Sequence, residues 1–272
     1  MSIHETMSAE IGHTAAEVPS RRRTRATRII AGFMAASGVL FGIFTAVFGI
    51  VAESQQIHAF HNAIVASLLL VLSAPPAIAI ARKPDHPLAA LKILTALSAA
   101  AVVTMAASTT IDPFTLPFVL FTGVLWILRL SEQPSADDER PSWILLGLVA
   151  VGVVPLLAYA LGEAELQRTL ADSSHAQFFH WVEASFYAVG ILAIALLAAL
   201  RPFTYRMAAW SAGVGLIILG SASLMLNSHA SAVPMPWPWL AIAGGVAFIG
   251  VAEWEVAEWE VDRHADHGLT AT

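Results

Sequence analysis

The chain has 272 residues, of which 57% are hydrophobic and only 12% are charged, with a net charge of −6. A soluble domain carries about 25% charged residues, so this composition excludes an ordinary water-soluble protein, and its one short basic cluster adjoins an apolar run and predicts no nucleic-acid partner. The absence of cysteine excludes disulfides, thiolate metal sites and cysteine nucleophiles.

Eight apolar runs follow one another along the chain, each close to the roughly 20 residues that a helix needs to cross a bilayer. They cover residues 29–52, 57–81, 88–109, 114–130, 143–161, 178–200, 203–226 and 237–254. The runs are continuously apolar rather than alternating, which favours helices over a β-barrel. We therefore predict an all-α, polytopic integral membrane protein with about eight transmembrane helices. The fourth and eighth runs are the shortest, so seven spans is the alternative count.

Polar segments divide these runs into parts. Residues 1–28 are predicted to form a disordered cytoplasmic tail, residues 131–141 an acidic cytoplasmic linker, and residues 255–272 a second cytoplasmic tail. Residues 29–130 and 142–254 are predicted to be two four-helix halves. A shift of 119 residues places His61 on His180 and Arg82 on Arg201, a weak internal repeat that predicts a pseudo-two-fold axis along the membrane normal.

The Lys and Arg residues predict the orientation. With eight spans, thirteen of the fourteen basic residues lie on the side of the two termini, and only Arg168 lies on the other side. This asymmetry predicts a cell-membrane protein with both termini in the cytoplasm.

Histidines and acidic residues mark the predicted outer ends of the second and sixth spans. His58 and His61 open the second span, and His180 and Glu183 open the sixth, each pair at a spacing of three residues that shares one helix face. If Glu183 lies inside the apolar zone, it costs several kcal/mol unless it is paired or faces a cavity. We therefore predict that Glu183 turns into the bundle and contacts a histidine or a metal ion.

Neutral imidazole suits zinc, copper, iron or haem iron. The predicted metal ligands are His58, His61, His180 and Glu183, and His61 and His180 are also the predicted cofactor ligands. The alternative is that His58 and His61 are interfacial residues and that His180 and Glu183 form a structural pair.

Other polar residues of the outer side have simpler interpretations. His175 and His229 lie in predicted loops and are expected to be solvated, and Glu163 and Glu165 are expected to be loop charges. Asp112 precedes a proline and is expected to start a turn or to cap a span.

The layout from about residue 29 to 254 resembles that of haem A synthase, the membrane enzyme that oxidises a haem methyl group. The similar parts are His58-Ala-Phe-His61-Asn62 opening the second span, His180 opening the sixth, and proline-containing outer turns before the fourth and eighth spans. The resemblance implies two four-helix bundles with haem-ligand histidines at the outer side. This chain has no histidine on the fourth or eighth span and lacks the cysteine-bearing loop of that family, so the resemblance implies at most a haem or metal held by His61 and His180.

Three functions stay open on the sequence. The first is an outer-face metal or haem site that serves redox chemistry or metal handling. The second is a transporter of a small solute or ion, and the third is a non-catalytic membrane subunit with a membrane-protein partner or a homo-oligomeric state. Whether the chain is an enzyme is also open.

Overall fold

A computed structural model describes residues 21–51, 58–129, 141–170, 173–200 and 205–269, without the side chains of residues 50, 51, 205 and 259–269. Every regular element in these ranges is a helix, which confirms the all-α prediction. The elements are α1 (Arg21–Val51), α2 (Ala59–Ser67), a π-helical segment (Leu68–Ser73), α3 (Ala74–Arg82), α4 (Leu88–Ser108), α5 (Leu116–Arg129), α6 (Trp143–Thr169), α7 (Ser174–Gln177), α8 (His180–Ala199), α9 (Tyr205–Met225) and α10 (Trp237–Leu269).

Seven helices in the described ranges are long and apolar enough to cross a membrane. They are α1, the continuous run from α2 through the π segment to α3, α4, α6, α8, α9 and α10. The remaining apolar helix, α5, has 14 residues and is therefore about 21 Å long, less than the roughly 30 Å of the hydrocarbon core. A multi-pass membrane protein is thus confirmed, whereas an eighth span stays a prediction.

Contacts between helix ends define two ends of the bundle. At the end that holds His61 and His180, called the histidine end, Arg168 of α6 donates to the carbonyl of Ala107 in α4 at 3.1 Å. At the opposite end, the Ser142 N–H that precedes α6 donates to the carbonyl of Ala199 in α8 at 2.8 Å. Because α4 ends at the histidine end and α6 begins at the opposite end, the chain changes ends between them, and α5 lies on that path.

Helix α8 lies at the centre of the bundle and α1, α6 and α10 lie at its periphery. The larger core cluster brings Ile191 and Ile194 of α8 together with residues of α2, α4, α6 and α9. The peripheral helices expose large apolar side chains, such as Leu40 at 70% and Val151 at 77%. Such exposure is expected of surfaces that face hydrocarbon rather than water.

Two predicted boundaries differ from the structure. Helix α1 begins at Arg21, eight residues before the predicted span, because arginine is a good helix former and extends the helix beyond its apolar part. Helix α10 continues to Leu269, and Glu255 in the predicted tail is buried and accepts a hydrogen bond from Ser142 Oγ at 2.5 Å. The tail predicted at residues 1–28 and the linker at residues 131–141 lie mostly outside the described residues. The two pseudo-symmetric halves stay a prediction.

Candidate metal centre

Five chain segments meet at the histidine end of the bundle. They are the first turn of α2, the last turns of α6, the short helix α7, the first turn of α8 and the loop after α9. Ser173 caps α7 by accepting a bond from the Ala176 N–H at 3.2 Å. Phe179 then takes a left-handed conformation, with φ of 62°, between α7 and α8. This reversal brings His175 and His180 to the same place although they belong to different helices.

The imidazoles of five histidines from these segments form one cluster. The ring centroid of His58 lies 4.6 Å from that of His175 and 4.7 Å from that of His180. The centroid of His61 lies 5.0 Å from that of His180, 5.1 Å from that of His175 and 4.8 Å from that of His229. The centroids of His175 and His229 lie 5.6 Å apart, so each ring of the cluster contacts at least two others.

Two sets of three nitrogens within the cluster are close enough to hold a metal ion. His58, His175 and His180 form one triad, His61, His175 and His229 form the other, and the ligand atoms of each triad lie within 4.8 Å of one another. A tetrahedral ion with metal–nitrogen bonds of about 2.0–2.1 Å separates its ligands by roughly 3.4 Å. The rings need to move inward by about 1 Å or less to reach that geometry, and His175 belongs to both triads.

Three buried nitrogens of the cluster have no hydrogen-bond partner among the described residues. They are the Nδ1 atoms of His58, His61 and His180. A buried polar atom without a partner costs about 1–3 kcal/mol, and native proteins contain few of them. Coordination would account for those of His58 and His180 when an ion occupies the first triad, and for that of His61 when an ion occupies the second.

A hydrogen-bond chain behind His61 orients its ring. The Ser231 hydroxyl donates to Glu163 Oε2 at 2.9 Å and lies 3.0 Å from His61 Nε2. With its own proton directed to Glu163, Ser231 accepts from the Nε2–H of His61, which leaves the lone pair of that imidazole on Nδ1. Metal-binding histidines are held in this way by carboxylates or other acceptors, and Glu163 is itself only 4% exposed.

His58 precedes the membrane-spanning part of α2 and is 5% exposed. Burial, followed by the neighbouring imidazoles of His175 and His229, lowers the pKa of His58 below its usual value of 6.5. The neutral ring is therefore the main form at neutral pH, and neutral imidazole is the form that binds metal.

The structure brings together three of the four predicted ligands. His58 and His180 belong to the first triad and His61 to the second, whereas neither triad includes Glu183. Glu183 lines an apolar cavity between α1, α5 and α8 instead, so the geometry does not support it as a ligand. Asp112 accepts a bond from the Phe114 N–H at 2.8 Å, which confirms the turn expected there.

Three residues of the site were missed on the sequence. His175 and His229 belong to the cluster rather than being solvated apart from it, and Glu163 lies in the last turns of α6 rather than in a loop. The available signal was that five of the ten histidines lie on the predicted outer side. Which of the outer loops meet depends on tertiary packing, which their spacing along the chain does not reveal.

The cluster fits a metal ion better than a haem. A bis-histidine haem needs its two nitrogens on opposite faces of a flat macrocycle. The rings of His61 and His180 instead stack at an angle of 19° with their centroids 5.0 Å apart, and other imidazoles contact both of them. The arrangement leaves no gap for a macrocycle between these two rings, and the resemblance to haem A synthase stays a prediction.

Compared with family models, with curated proteins and with solved structures, the chain gives no match. The functional interpretation therefore depends on the histidine cluster itself.

Proposed function

We propose that this protein binds a transition-metal ion in the histidine cluster at one end of its membrane bundle, and that its function is metal handling. The observation that supports the proposal best is the set of three buried, unpartnered Nδ1 atoms among five converging imidazoles. Hydrogen bonding within the described residues does not satisfy these atoms, whereas coordination in the two triads would.

The donor set indicates the class of metal. Both triads consist of imidazole nitrogens, and the chain has no cysteine. Imidazole suits Zn²⁺, Cu²⁺, Ni²⁺ and Fe²⁺, whereas Ca²⁺ and Mg²⁺ prefer oxygen ligands and Cu⁺ prefers sulfur. The expected ion is therefore a divalent transition metal.

The sharing of His175 favours handling of the ion over a permanent structural role. An ion in one triad can pass to the other by exchanging two imidazoles while it keeps the bond to His175. A closed structural site holds its ion with one fixed set of four ligands. Two overlapping triads are instead suited to accepting an ion and passing it on.

Redox chemistry is the second candidate, and Tyr159 favours it. This residue lies four positions before Glu163 on α6, so the two share a helix face one turn apart. Its hydroxyl is buried and has no hydrogen-bond partner in the described part of the chain. If copper(II) in the cluster oxidises this phenol, the electron would pass to the copper, which becomes copper(I), and the proton would pass to the carboxylate of Glu163. A tyrosyl signal in electron paramagnetic resonance of the copper-loaded protein, together with loss of the copper(II) signal, would support this role.

Elemental analysis of detergent-purified protein tests the proposal. We expect about one transition-metal ion per chain and at least a tenfold lower content in His175→Ala, because His175 belongs to both triads and its loss leaves neither with three imidazoles. His86→Ala is the matched control, since His86 is an exposed histidine outside the cluster. A wild-type protein that holds no metal after growth and after incubation with Zn²⁺, Cu²⁺ or Ni²⁺ would overturn the proposal, as would equal content in all three proteins.

A further inference from the structure

An apolar cavity of about 720 Å³ lies between α1 and α5 on one side and α2, the π segment and α8 on the other. Pockets for small molecules span about 300–1,000 Å³, so the volume suits a single organic ligand. Phe33, Phe41 and Phe44 of α1 line this cavity and are at least half exposed on the outer surface of the bundle. The cavity therefore meets the hydrocarbon of the bilayer, and its occupant has to be soluble in lipid.

The cavity is elongated and its walls are rich in aromatic rings. Along α1 its lining runs from Phe33 to Phe44, which at 1.5 Å per residue is about 17 Å. Phe118 and Phe121 of α5, with Phe114 in the turn before α5, line the facing wall. Such rings favour flat, ring-shaped ligands through stacked or edge-to-face contacts, and the length leaves room for a tail.

One ionisable side chain, Glu183, faces this apolar space. It is 9% exposed and lines the cavity, yet no described residue donates a hydrogen bond to it. The hydroxyl of Thr115 lines the same region and is bonded to the carboxylate of Asp112. Because α8 begins at His180 and α5 at Leu116, these polar groups lie at the histidine end of the cavity, and the rest of the space extends toward the middle of the bilayer.

We infer that this cavity is a binding site for a quinol-type lipid, a ring that carries hydroxyl groups on a long apolar tail. The hydroxyl of the ring donates to the carboxylate of Glu183, the ring lies among the phenylalanines, and the tail runs along α1 into the hydrocarbon. This donor hydroxyl distinguishes a quinol from its quinone, because the carbonyl groups of a quinone cannot donate to the carboxylate. This site is separate from the metal centre, and its occupancy does not depend on the proposed function.

Direct binding tests the assignment. Metal-free protein in lipid nanodiscs is titrated with decylubiquinol under anaerobic conditions, and in parallel with the oxidised form, decylubiquinone. We expect saturable binding of about one quinol per chain. The quinone binds more weakly, because it has no hydroxyl to donate. Glu183→Leu is expected to weaken quinol binding about tenfold or more, since a hydrogen bond to a charged group contributes about 1.5–3 kcal/mol.

A pair of tryptophan variants tests whether the ligand occupies the cavity, independently of the Glu183 carboxylate. Ser37 and Ala36 are adjacent exposed residues of α1, but only Ser37 lines the cavity. We expect Ser37→Trp to block binding and Ala36→Trp to leave it unchanged, with thermal unfolding confirming that each variant is folded.

Three outcomes would overturn the assignment. They are no saturable binding of the quinol, equal binding of quinol and quinone, or binding that Ser37→Trp and Glu183→Leu both leave intact. Mass spectrometry of the purified protein that finds only phospholipid in the site, undisplaced by quinol, would also contradict it.

Discussion

His175 is the residue that the two histidine triads share. His175→Ala therefore removes one of three imidazoles from both triads at once, whereas His229→Ala affects only the second. We expect His175→Ala to lower the apparent metal affinity by about a hundredfold or more and His229→Ala to lower it less, because an intact triad remains. Competition with a chromophoric chelator measures both affinities, and a larger loss in His229→Ala would contradict the shared role of His175.

Asp112 predicts a pH dependence of stability outside the metal site. Burial raises the pKa of Asp112 above its usual value of 3.8, while hydrogen bonds from Thr115 and from the Phe114 N–H oppose the rise. The folded state therefore binds a proton at a higher pH than the unfolded state. As the pH falls from neutral toward 3.8, this group increasingly favours the folded state.

Asp112→Asn removes this titration and keeps an acceptor for the Phe114 N–H. We expect the variant to be at least as thermostable as the wild type in detergent at about pH 7. At about pH 5 the stability of the variant relative to that of the wild type is expected to be lower, because protonation of Asp112 stabilises the wild type. Asp85→Asn, at an exposed carboxylate that accepts from Thr24 at 3.1 Å, is the control. An advantage of Asp112→Asn that grows as the pH falls would contradict the account.

The sequence located some single residues of the site and misplaced others. His58, His61 and His180 were predicted from their positions at span starts, and the structure brings them together. Glu183 was predicted with them because it shares a helix face with His180. His180, however, is the first residue of α8, whereas Glu183 lies one turn deeper beside the cavity. The cost of burying a carboxyl predicts that it needs a cavity or partner, but not which one.

At the scale of elements, the backbones of α9 and α10 pack directly against each other. A Cβ on Gly245 would lie 2.4 Å from the carbonyl oxygen of Gly213, and a Cβ on Gly213 would lie 2.7 Å from the carbonyl oxygen of Gly245. These distances are too short for any side chain. Small residues therefore allow the two backbones to pack directly, as in other membrane helix pairs.

Gly245→Ala is expected to lower stability by about 1–3 kcal/mol, because the two helices have to move apart. Gly244→Ala is the matched control, since a Cβ there meets nothing within 4 Å. Thermal unfolding in detergent compares the two variants. Equal losses in both would show that the backbones are not in direct contact.

The sequence predicted most helices but not their irregularities. The π segment at Leu68–Ser73 is separated from Pro75 and Pro76 only by Ala74. Proline has no N–H to donate to the carbonyl four residues earlier, so the helix widens at this point. The double proline therefore predicts a local disturbance, but not that it takes the form of a π segment.

At the scale of the whole molecule, the orientation in the membrane is testable because the chain has no cysteine. Ala230 lies in an exposed loop at the histidine end, and His86 lies in an exposed loop at the other end. A single cysteine is introduced at each position, as Ala230→Cys and His86→Cys. The distribution of Lys and Arg predicts that Ala230→Cys is labelled by a membrane-impermeant maleimide in intact cells. His86→Cys is expected to be labelled only after permeabilisation, and the reverse pattern would contradict the predicted orientation.

Composition and periodicity were sufficient to predict the fold class. They also predicted that the polar residues lie together at one end of the bundle. Each membrane span is long enough to be recognised in the sequence by itself. Because successive spans cross the membrane in opposite directions, the sequence predicts that His61, His180 and Glu163 lie at the same end. The sequence does not show how neighbouring helices are arranged around α8, because Leu and Ala pack on any face in lipid. The contacts of Ser231 with His61 and Glu163 depend on that arrangement.

The metal-edge X-ray absorption spectrum of the metal-loaded protein tests the central claim most directly, because it reports the ligands of the bound ion themselves. The account predicts a first shell of nitrogen or oxygen atoms at about 2.0–2.1 Å, with the outer-shell scattering of at least three imidazoles, and loss of that scattering in His175→Ala. A first shell of oxygen atoms alone, without imidazole scattering, would contradict it.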